Sequence, residues 1–244
     1  MASIPGGDWW LGNSQQAEAY YFNSTLGASL GGKYLLGGGG NQSGLTIGSL
    51  NISTARTAVF ENILSGGTAG QVKVEIGAQT GDFAWNSPSF VNGNTGFVGL
   101  TSRNNGLIGD VRVNTNATLA IGNNFALGSG RLVLNGGNIR MDFGNTTTGN
   151  NNFISNNITL NNNVILQGDL NAVSGGDLTI LGNVAMSDVN TAGATRIWNI
   201  GVGTTSVRGV VSGAEGSNLI KRGATTLVLS GNNTYQGFTQ IDRG

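Results

Sequence analysis

Twelve carboxylates are the main candidates for acid–base chemistry in this 244-residue chain, because the sequence has no His and no Cys. An acid–base enzyme positions such groups around one substrate. Here they are spread almost evenly: Asp8, Glu18, Glu61, Glu75, Asp82, Asp110, Asp142, Asp169, Asp177, Asp188, Glu215 and Asp242. The closest arrangements with basic residues, Asp110/Arg112 and Arg140/Asp142, are interpreted as surface ion pairs or corner contacts. We therefore expect no catalytic residues and no enzyme activity.

Metal and cofactor motifs are also missing from the sequence. Gly175-Gly176-Asp177 is a fragment of the calcium-binding pattern G-G-x-G-x-D, but the full pattern is not present, and a lone copy would not close a site. No phosphate-binding loop, nucleophile elbow or zinc-binding helix motif occurs. Without His and Cys, the commonest transition-metal ligands are absent. We expect neither a metal ion nor a cofactor.

The charge pattern limits the partners of the chain. Twelve basic residues balance twelve acidic ones, and only Lys221 and Arg222 are adjacent basic residues. Binding to phosphate backbones needs clustered Lys and Arg, so nucleic acid is not an expected partner. No run of 18 apolar residues occurs, so no transmembrane helix is expected.

Glycine and asparagine dominate the composition, with 43 Gly and 32 Asn. Such a bias is typical either of disorder or of a fold with a turn every few residues. Disorder predicts few branched apolar residues and a high net charge, whereas Leu, Ile and Val recur throughout and the net charge is zero. The composition therefore favours a folded chain in which Gly supplies positive φ at corners and Asn stacks into amide ladders.

Short alternating segments separated by Gly and Asn predict an all-β fold. Apolar residues two positions apart indicate strands with one buried face. The pairs predicted to point inward are Leu119/Ile121, Leu132/Leu134, Ile158/Leu160, Leu178/Ile180 and Leu227/Leu229. Antiparallel sandwiches need longer strands and tighter turns, and similar units return here about every 20 residues, as expected for a parallel β-solenoid.

The first third of the chain is less regular and rich in aromatic residues. We predict that residues 1–44 form a cap or atypical first rungs and that residues 45–244 form the solenoid rungs. The aromatic residues Trp9, Trp10, Tyr20, Tyr21 and Phe22 are candidates for a cap or a self-association surface. A small separate adhesive domain, in which stacked aromatic rings bind sugars, is the alternative.

The segment 219–237, LIKRGATTLVLSGNNTYQG, resembles the autotransporter-associated β-strand repeat, also called the passenger-associated transport repeat. The resemblance extends over residues 205–244, and a weaker copy spans residues 93–141. Ala224-Thr225 and Phe238 depart mildly from the family pattern. The residues that match it are Gly213, Lys221, Gly223, Leu227, Leu229, Gly231, Asn233, Thr234, Tyr235 and Gly237.

This resemblance implies a single-stranded right-handed parallel β-helix in a bacterial secreted or cell-surface protein, associated with the outer membrane where it is fused to a β-barrel. It also implies that the repeat carries no catalytic residues. The function we expect is structural: a passenger stalk, an adhesin segment or a matrix or filament subunit. Expected partners are other copies of the chain, through end-to-end stacking or strand exchange, and surface glycans or other surface proteins. The alternatives are a carbohydrate-binding or carbohydrate-cleaving β-helix and a phage tail-fibre segment.

Overall fold

The computed structural model describes residues 10–12, 19–21, 25–28, 31–37, 44–48, 61–77, 97–142, 153–169, 176–186 and 193–243. These residues form short strands joined by turns, and none of the described segments is a helix. In particular, no described helix is long and apolar enough to cross a membrane.

Twenty-one strands occur in the described part of the chain. They are β1 (Trp10–Leu11), β2 (Ala19–Tyr21), β3 (Tyr34–Leu36), β4 (Gly44–Ile47), β5 (Val72–Ile76), β6 (Phe97–Leu100), β7 (Asp110–Asn114), β8 (Thr118–Ile121), β9 (Leu132–Asn135), β10 (Asn138–Met141), β11 (Phe153–Ile154), β12 (Ile158–Leu160), β13 (Val164–Asp169), β14 (Leu178–Ile180), β15 (Val184–Ala185), β16 (Thr195–Ile200), β17 (Thr205–Val207), β18 (Val211–Ser212), β19 (Asn218–Arg222), β20 (Leu227–Leu229) and β21 (Thr239–Ile241).

The strands form three sheets in which neighbouring strands come from successive coils. The first sheet has the order β1-β3-β5-β7-β9-β12-β15-β18, the second β2-β4-β6-β8-β10-β13-β16-β19-β21, and the third β11-β14-β17-β20. Every pairing between these strands is parallel. This topology confirms the parallel β-helix, and it agrees with the right-handed form that the resemblance implies.

Register places equivalent apolar residues on top of one another. In the first sheet Val111, Leu132, Ile158, Val184 and Val211 are consecutive partners, and all five are almost completely buried. Parallel rungs lie about 4.8 Å apart, so these side chains touch along the axis. The result is one continuous apolar column, and removing that surface from water is the main stabilising contribution to the fold.

The predicted inward pairs point into this column. Leu119/Ile121, Leu132/Leu134, Ile158/Leu160 and Leu178/Ile180 are all buried. Leu227 and Leu229 also pack against the core but are only partly buried, because β20 is the last strand of the third sheet.

Coil length varies more than the sequence suggested. The coil from Leu119 to its partner Ile139 has the predicted length. The coil from Ile158 to its partner Val184 is longer, and a much longer stretch of chain separates Leu45 from its partner Val98. The predicted rung spacing therefore applies only to the shortest coils.

Before β11 the third side of the coil is a stack of turns rather than a sheet. The side chain of Asn104 is fully buried there. Its Oδ1 accepts the backbone N–H of Leu64 at 3.1 Å, and its Nδ2 donates to the carbonyl of Ala126 at 2.8 Å. This amide thus bonds to the coils on both sides and adds to the backbone hydrogen bonds between them, such as the bond from Asn104 N to Phe125 O at 3.1 Å. It satisfies polar groups that would otherwise be buried without partners.

One of the predicted amide ladders runs across the first sheet, where its strands end. Asn161 Nδ2 donates to Asn135 Oδ1 at 2.8 Å, Asn135 Nδ2 donates to Asn114 Oδ1 at 3.4 Å, and Asn114 Nδ2 donates to Glu75 Oε1 at 3.0 Å. The ladder joins the four successive coils that contain β5, β7, β9 and β12.

The N-terminal strands β1 and β2 pair in parallel with β3 and β4 and lie at one end of the first and second sheets. Among the five aromatic candidates, Trp9 and Phe22 lie outside the described residues, Trp10 lies in β1 and Tyr20 lies in β2. Tyr21 packs against the core, and its hydroxyl donates to the carbonyl of Thr25 at 3.3 Å. The division into a cap at 1–44 and rungs at 45–244 stays a prediction.

Candidate functional site: the C-terminal repeat

Of the two acid–base arrangements that the sequence offered, Arg140/Asp142 is an ion pair, whereas Asp110 and Arg112 each pair with another residue. Asp110 in β7 is buried and accepts bonds from Arg131 Nε at 3.0 Å and Nη2 at 2.8 Å, so its partner lies on the next coil rather than at Arg112. In the second sheet, Arg140 Nη2 lies 3.5 Å from Asp142 Oδ2. Each pair therefore ties the coil together, as expected for structural contacts.

The other carboxylates that the structure describes, including Asp177 of the calcium-like fragment, do not form a cluster either. Within the described residues, no group of three or more Asp or Glu side chains is placed to hold a metal ion. Asp177 Oδ1 accepts the backbone N–H of Thr204 on the next coil at 2.7 Å. Gly175 lies outside the described part of the chain.

Lys221, which matches the lysine of the repeat pattern, points into the core. It continues a column in which Val164 pairs with Trp198 and Trp198 pairs with Lys221, and only 5% of Lys221 is exposed. Its ammonium donates to the carbonyls of Gly223 and Arg243, each at 2.6 Å. A buried cation needs such partners to offset its lost hydration, and here the partners connect two coils.

The glycines of the repeat allow the chain to pass close to the coil before it. A Cβ on Gly223 would lie 2.0 Å from the carbonyl oxygen of Ile200, and Gly223 has a φ of +88°. On Gly231 a Cβ would lie 2.2 Å from the oxygen of Gly209, and on Gly237 it would lie 2.2 Å from the oxygen of Ser217. Any side chain at these positions would force the coils apart.

Polar residues of the repeat also bond to the preceding coil. Asn233 Oδ1 accepts the N–H of Val211 at 2.9 Å, and the N–H of Thr234 donates to the oxygen of Val211 at 2.9 Å. The N–H of Gly237 donates to Ser217 O at 3.0 Å. These bonds hold the turn after β20 against the coil that contains β18 and β19.

The other matching residues have packing roles. Tyr235 packs against the core, as Leu227 and Leu229 do, and its hydroxyl lies 2.6 Å from Thr239 Oγ1. A Cβ on Gly213 would lie 2.5 Å from the Cβ of Ser217. The ten residues that the sequence selected are therefore brought together on the last coils. Those that contact a neighbouring coil are Lys221, Gly223, Gly231, Asn233, Thr234 and Gly237.

The weaker copy at 93–141 has one glycine with the same geometry. A Cβ on Gly130 would lie 2.2 Å from the oxygen of Gly109, which matches the contact of Gly231 with Gly209. The identification of this segment as a repeat stays a prediction.

Two features were not predicted from the sequence. The first is the burial of Lys221. Its position two residues after the buried Leu219 places both on the same face of the strand, and the sequence could have indicated this. The other is a pocket of about 530 Å³ lined by Lys33, Lys73 and Arg112. These residues are far apart in sequence, and no local pattern identifies their meeting.

Comparison with known protein families matches residues 219–244 to the passenger-associated-transport-repeat family. No curated protein and no solved structure matches the chain. The matched segment contains Lys221, Gly223, Gly231, Asn233 and Gly237, whose contacts join the last coils. The chain therefore carries a passenger-associated transport repeat at residues 219–244, of the type found in secreted autotransporter passengers.

Proposed function

We propose that this chain is a non-catalytic structural segment of a bacterial secreted or cell-surface protein, a rigid rod that acts as a passenger stalk, adhesin segment or matrix component. The observation that carries the proposal is the continuous apolar column, which runs from Tyr34 on β3 to Leu219 on β19. A column of this kind gives a rod whose length grows with each added coil.

The contacts that the repeat residues make support a structural role. Lys221, Gly231 and Asn233 all contact a neighbouring coil, so the residues that define the repeat are engaged in joining coils. The paired carboxylates have the same role, as Asp110 with Arg131 illustrates.

A localisation experiment tests the proposal. The protein is tagged in its native bacterium, and intact cells are treated with protease and probed with antibody. We expect cleavage and labelling without lysis, or recovery of the protein from the medium. Detection only in the cytoplasm would contradict export, and release of soluble sugars from acidic or neutral polysaccharides would contradict the non-catalytic role.

Self-association end to end is a second candidate function. Strand β21, the last that the structure describes, pairs with β19, and its residue Ile241 is 69% exposed. Phe238 and Val228 are also exposed large apolar residues near this end. We propose that a second copy adds its parallel strands β1 and β2 to this end, a head-to-tail contact that can repeat into a filament.

Light scattering over a dilution series tests this association. We expect the wild-type mass to increase with concentration and Ile241→Lys to stay monomeric. Leu181→Lys is the matched control, because Leu181 is an exposed apolar residue on another coil. A strictly monomeric wild type at high concentration, or equal loss of association in both variants, would overturn the proposal.

A further inference from the structure

Three of the chain's twelve basic residues meet at one pocket. Lys33 precedes β3, Lys73 is in β5 and Arg112 is in β7, so each comes from a different coil of the first sheet. The pocket volume of about 530 Å³ is within the range of ligand-binding sites. Its described lining contains no acidic side chain and includes the polar residues Thr68 and Gln71.

A β-bulge directs Lys73 into this position. Val72 pairs with Asp110 and Val74 pairs with Val111, so Lys73 is an extra residue without a partner in β7. A bulge can re-aim a side chain, and bulges are over-represented next to active sites. The neighbouring backbone makes room for it, because a Cβ on Gly109 would lie 2.5 Å from the Cβ of Lys73.

The positive charge of the pocket is only partly balanced by the described residues. The buried carboxylate of Glu75 lies 3.7 Å from Lys33 Nζ and 3.9 Å from Arg112 Nη1. Both distances exceed those of hydrogen-bonded ion pairs, so the two cations keep donors that can bind another group. With Lys73 included, the described part of the site carries two positive charges in excess of Glu75.

Arg112 also has an unused hydrogen-bond donor. Its Nε is buried and has no acceptor among the described residues. A buried donor without an acceptor is unfavourable, although a ligand in the pocket would reach this atom only after a small rearrangement. The Arg112 side chain is 28% exposed, and its planar guanidinium is suited to binding a carboxylate or sulfate. Lys73 is held differently: its ammonium donates to the carbonyl of Gly32 and lies 5.1 Å from the centre of the Tyr34 ring.

We propose that this pocket binds an acidic saccharide through its carboxylate or sulfate groups. The volume is larger than a lone inorganic anion requires, and Thr68 and Gln71 offer hydroxyl and amide groups for sugar hydroxyls. Cations on three successive rungs about 4.8 Å apart suit an elongated ligand with repeating negative charges. Binding at this pocket would be a function additional to the structural role. It does not depend on export or on self-association.

Binding measurements with three polymers test the proposal. The probes are polygalacturonate for carboxylates, dextran sulfate for sulfates, and dextran as the neutral polymer. We expect the wild-type protein to bind at least one acidic polymer and not dextran, with weaker binding at higher salt because the contacts are electrostatic. The acidic polymer that binds more tightly identifies the preferred anionic group.

Matched variants locate the binding. Lys33→Gln removes a half-exposed cation and leaves Arg112 beside Glu75, and we expect about tenfold weaker binding from the loss of one charge-assisted contact. Arg112→Lys keeps the positive charge but removes the planar guanidinium group, and we expect this variant to bind more weakly as well. Arg208→Gln removes an equal charge from an exposed position elsewhere and should leave affinity within about twofold. Circular dichroism melts verify that each variant is folded.

Two results would overturn the proposal. One is a wild-type protein that binds neither acidic polymer better than dextran. The other is equal weakening by Lys33→Gln and Arg208→Gln, which would mean that general surface charge, not this pocket, is responsible.

Discussion

The ammonium of Lys221 donates a 2.6 Å hydrogen bond to the carbonyl oxygen of Arg243 on the following coil. It donates a second bond of the same length to Gly223, where a Cβ would lie 2.0 Å from the carbonyl oxygen of Ile200. One buried side chain of the transport repeat thus joins its own strand, the turn after it and the next coil. Loss of this ammonium is expected to loosen the last coil more than the rest of the rod.

Replacing Lys221 with Met tests this role. Met keeps the apolar stem in the column but removes both hydrogen bonds, and we expect a local loss of about 1–3 kcal/mol in the stability of the last coil. Hydrogen exchange at residues 237–243 should accelerate, while exchange in β9 and β12 stays unchanged. Arg222→Met is the control, because the exposed pair of Arg222 with Asp242 contributes little. Equal acceleration in both variants would contradict the role of Lys221.

Gly209 lies in a column of corner glycines and should not tolerate a side chain. A Cβ there would lie 2.1 Å from the oxygen of Gly182, so Gly209→Ala must push two coils apart at a cost of about 1–3 kcal/mol. Gly27→Ala is the matched control, since no described atom lies within 4 Å of its Cβ position. Urea unfolding of the two variants measures the difference. Equal stability would show that the coils adjust freely at this corner.

The same corner shows what the sequence could and could not predict. The abundance of Gly correctly indicated frequent turns, but the predicted reason, positive φ, is wrong at Gly182, Gly209 and Gly231. There, each glycine is required by contact with a carbonyl of the preceding coil. That contact depends on how coils stack, so composition alone does not identify it. Positive φ does occur at other corners, including Gly223.

Strand positions and their inward faces were predictable because alternation is a local signal. Leu119 and Ile121 are buried as expected. The meeting of Lys33, Lys73 and Arg112 was not predictable, because it requires the exact length of each coil. The coil from β5 to β7 is much longer than the coil from β7 to β9. Register across coils of such different lengths is set by packing, which no single stretch of sequence records.

Asn114 holds the start of the amide ladder and should not tolerate a negative charge. Its side chain is buried and donates to Glu75 Oε1 at 3.0 Å and to the carbonyl of Gly77 at 2.6 Å. Asn114→Asp keeps the shape, removes both donors and places two carboxylates together. We expect a loss of about 2 kcal/mol or more at neutral pH, measured by urea unfolding.

The loss should shrink as the pH is lowered toward 4, because protonation of either carboxyl removes the repulsion. The control is Asn232→Asp, which adds a charge at an exposed position and should change stability by less than about 0.5 kcal/mol. A pH-independent difference between the two variants would argue against repulsion with Glu75.

The pKa of the Asp242 carboxyl on the last coil depends on the groups that surround it. The hydrogen bond from Arg222 Nε at 2.8 Å lowers the pKa of Asp242 below 3.8, and a bond from Gln240 contributes in the same direction. Because the folded pKa is depressed, this carboxylate stabilises the folded coil at pH values above its unfolded pKa, by a small amount since the pair is exposed. That contribution is lost as the pH falls through the folded pKa.

Arg222→Gln should therefore raise the pKa of Asp242 toward its ordinary value, since the main cause of the depression is removed. Carboxyl carbon chemical shifts followed by NMR from neutral to acid pH measure it directly. Arg208→Gln removes a charge from a different coil and should leave the pKa of Asp242 unchanged. An unchanged pKa in Arg222→Gln would mean that the last coil is not held in the described position in solution, and the contact of Lys221 with Arg243 would then be in question too.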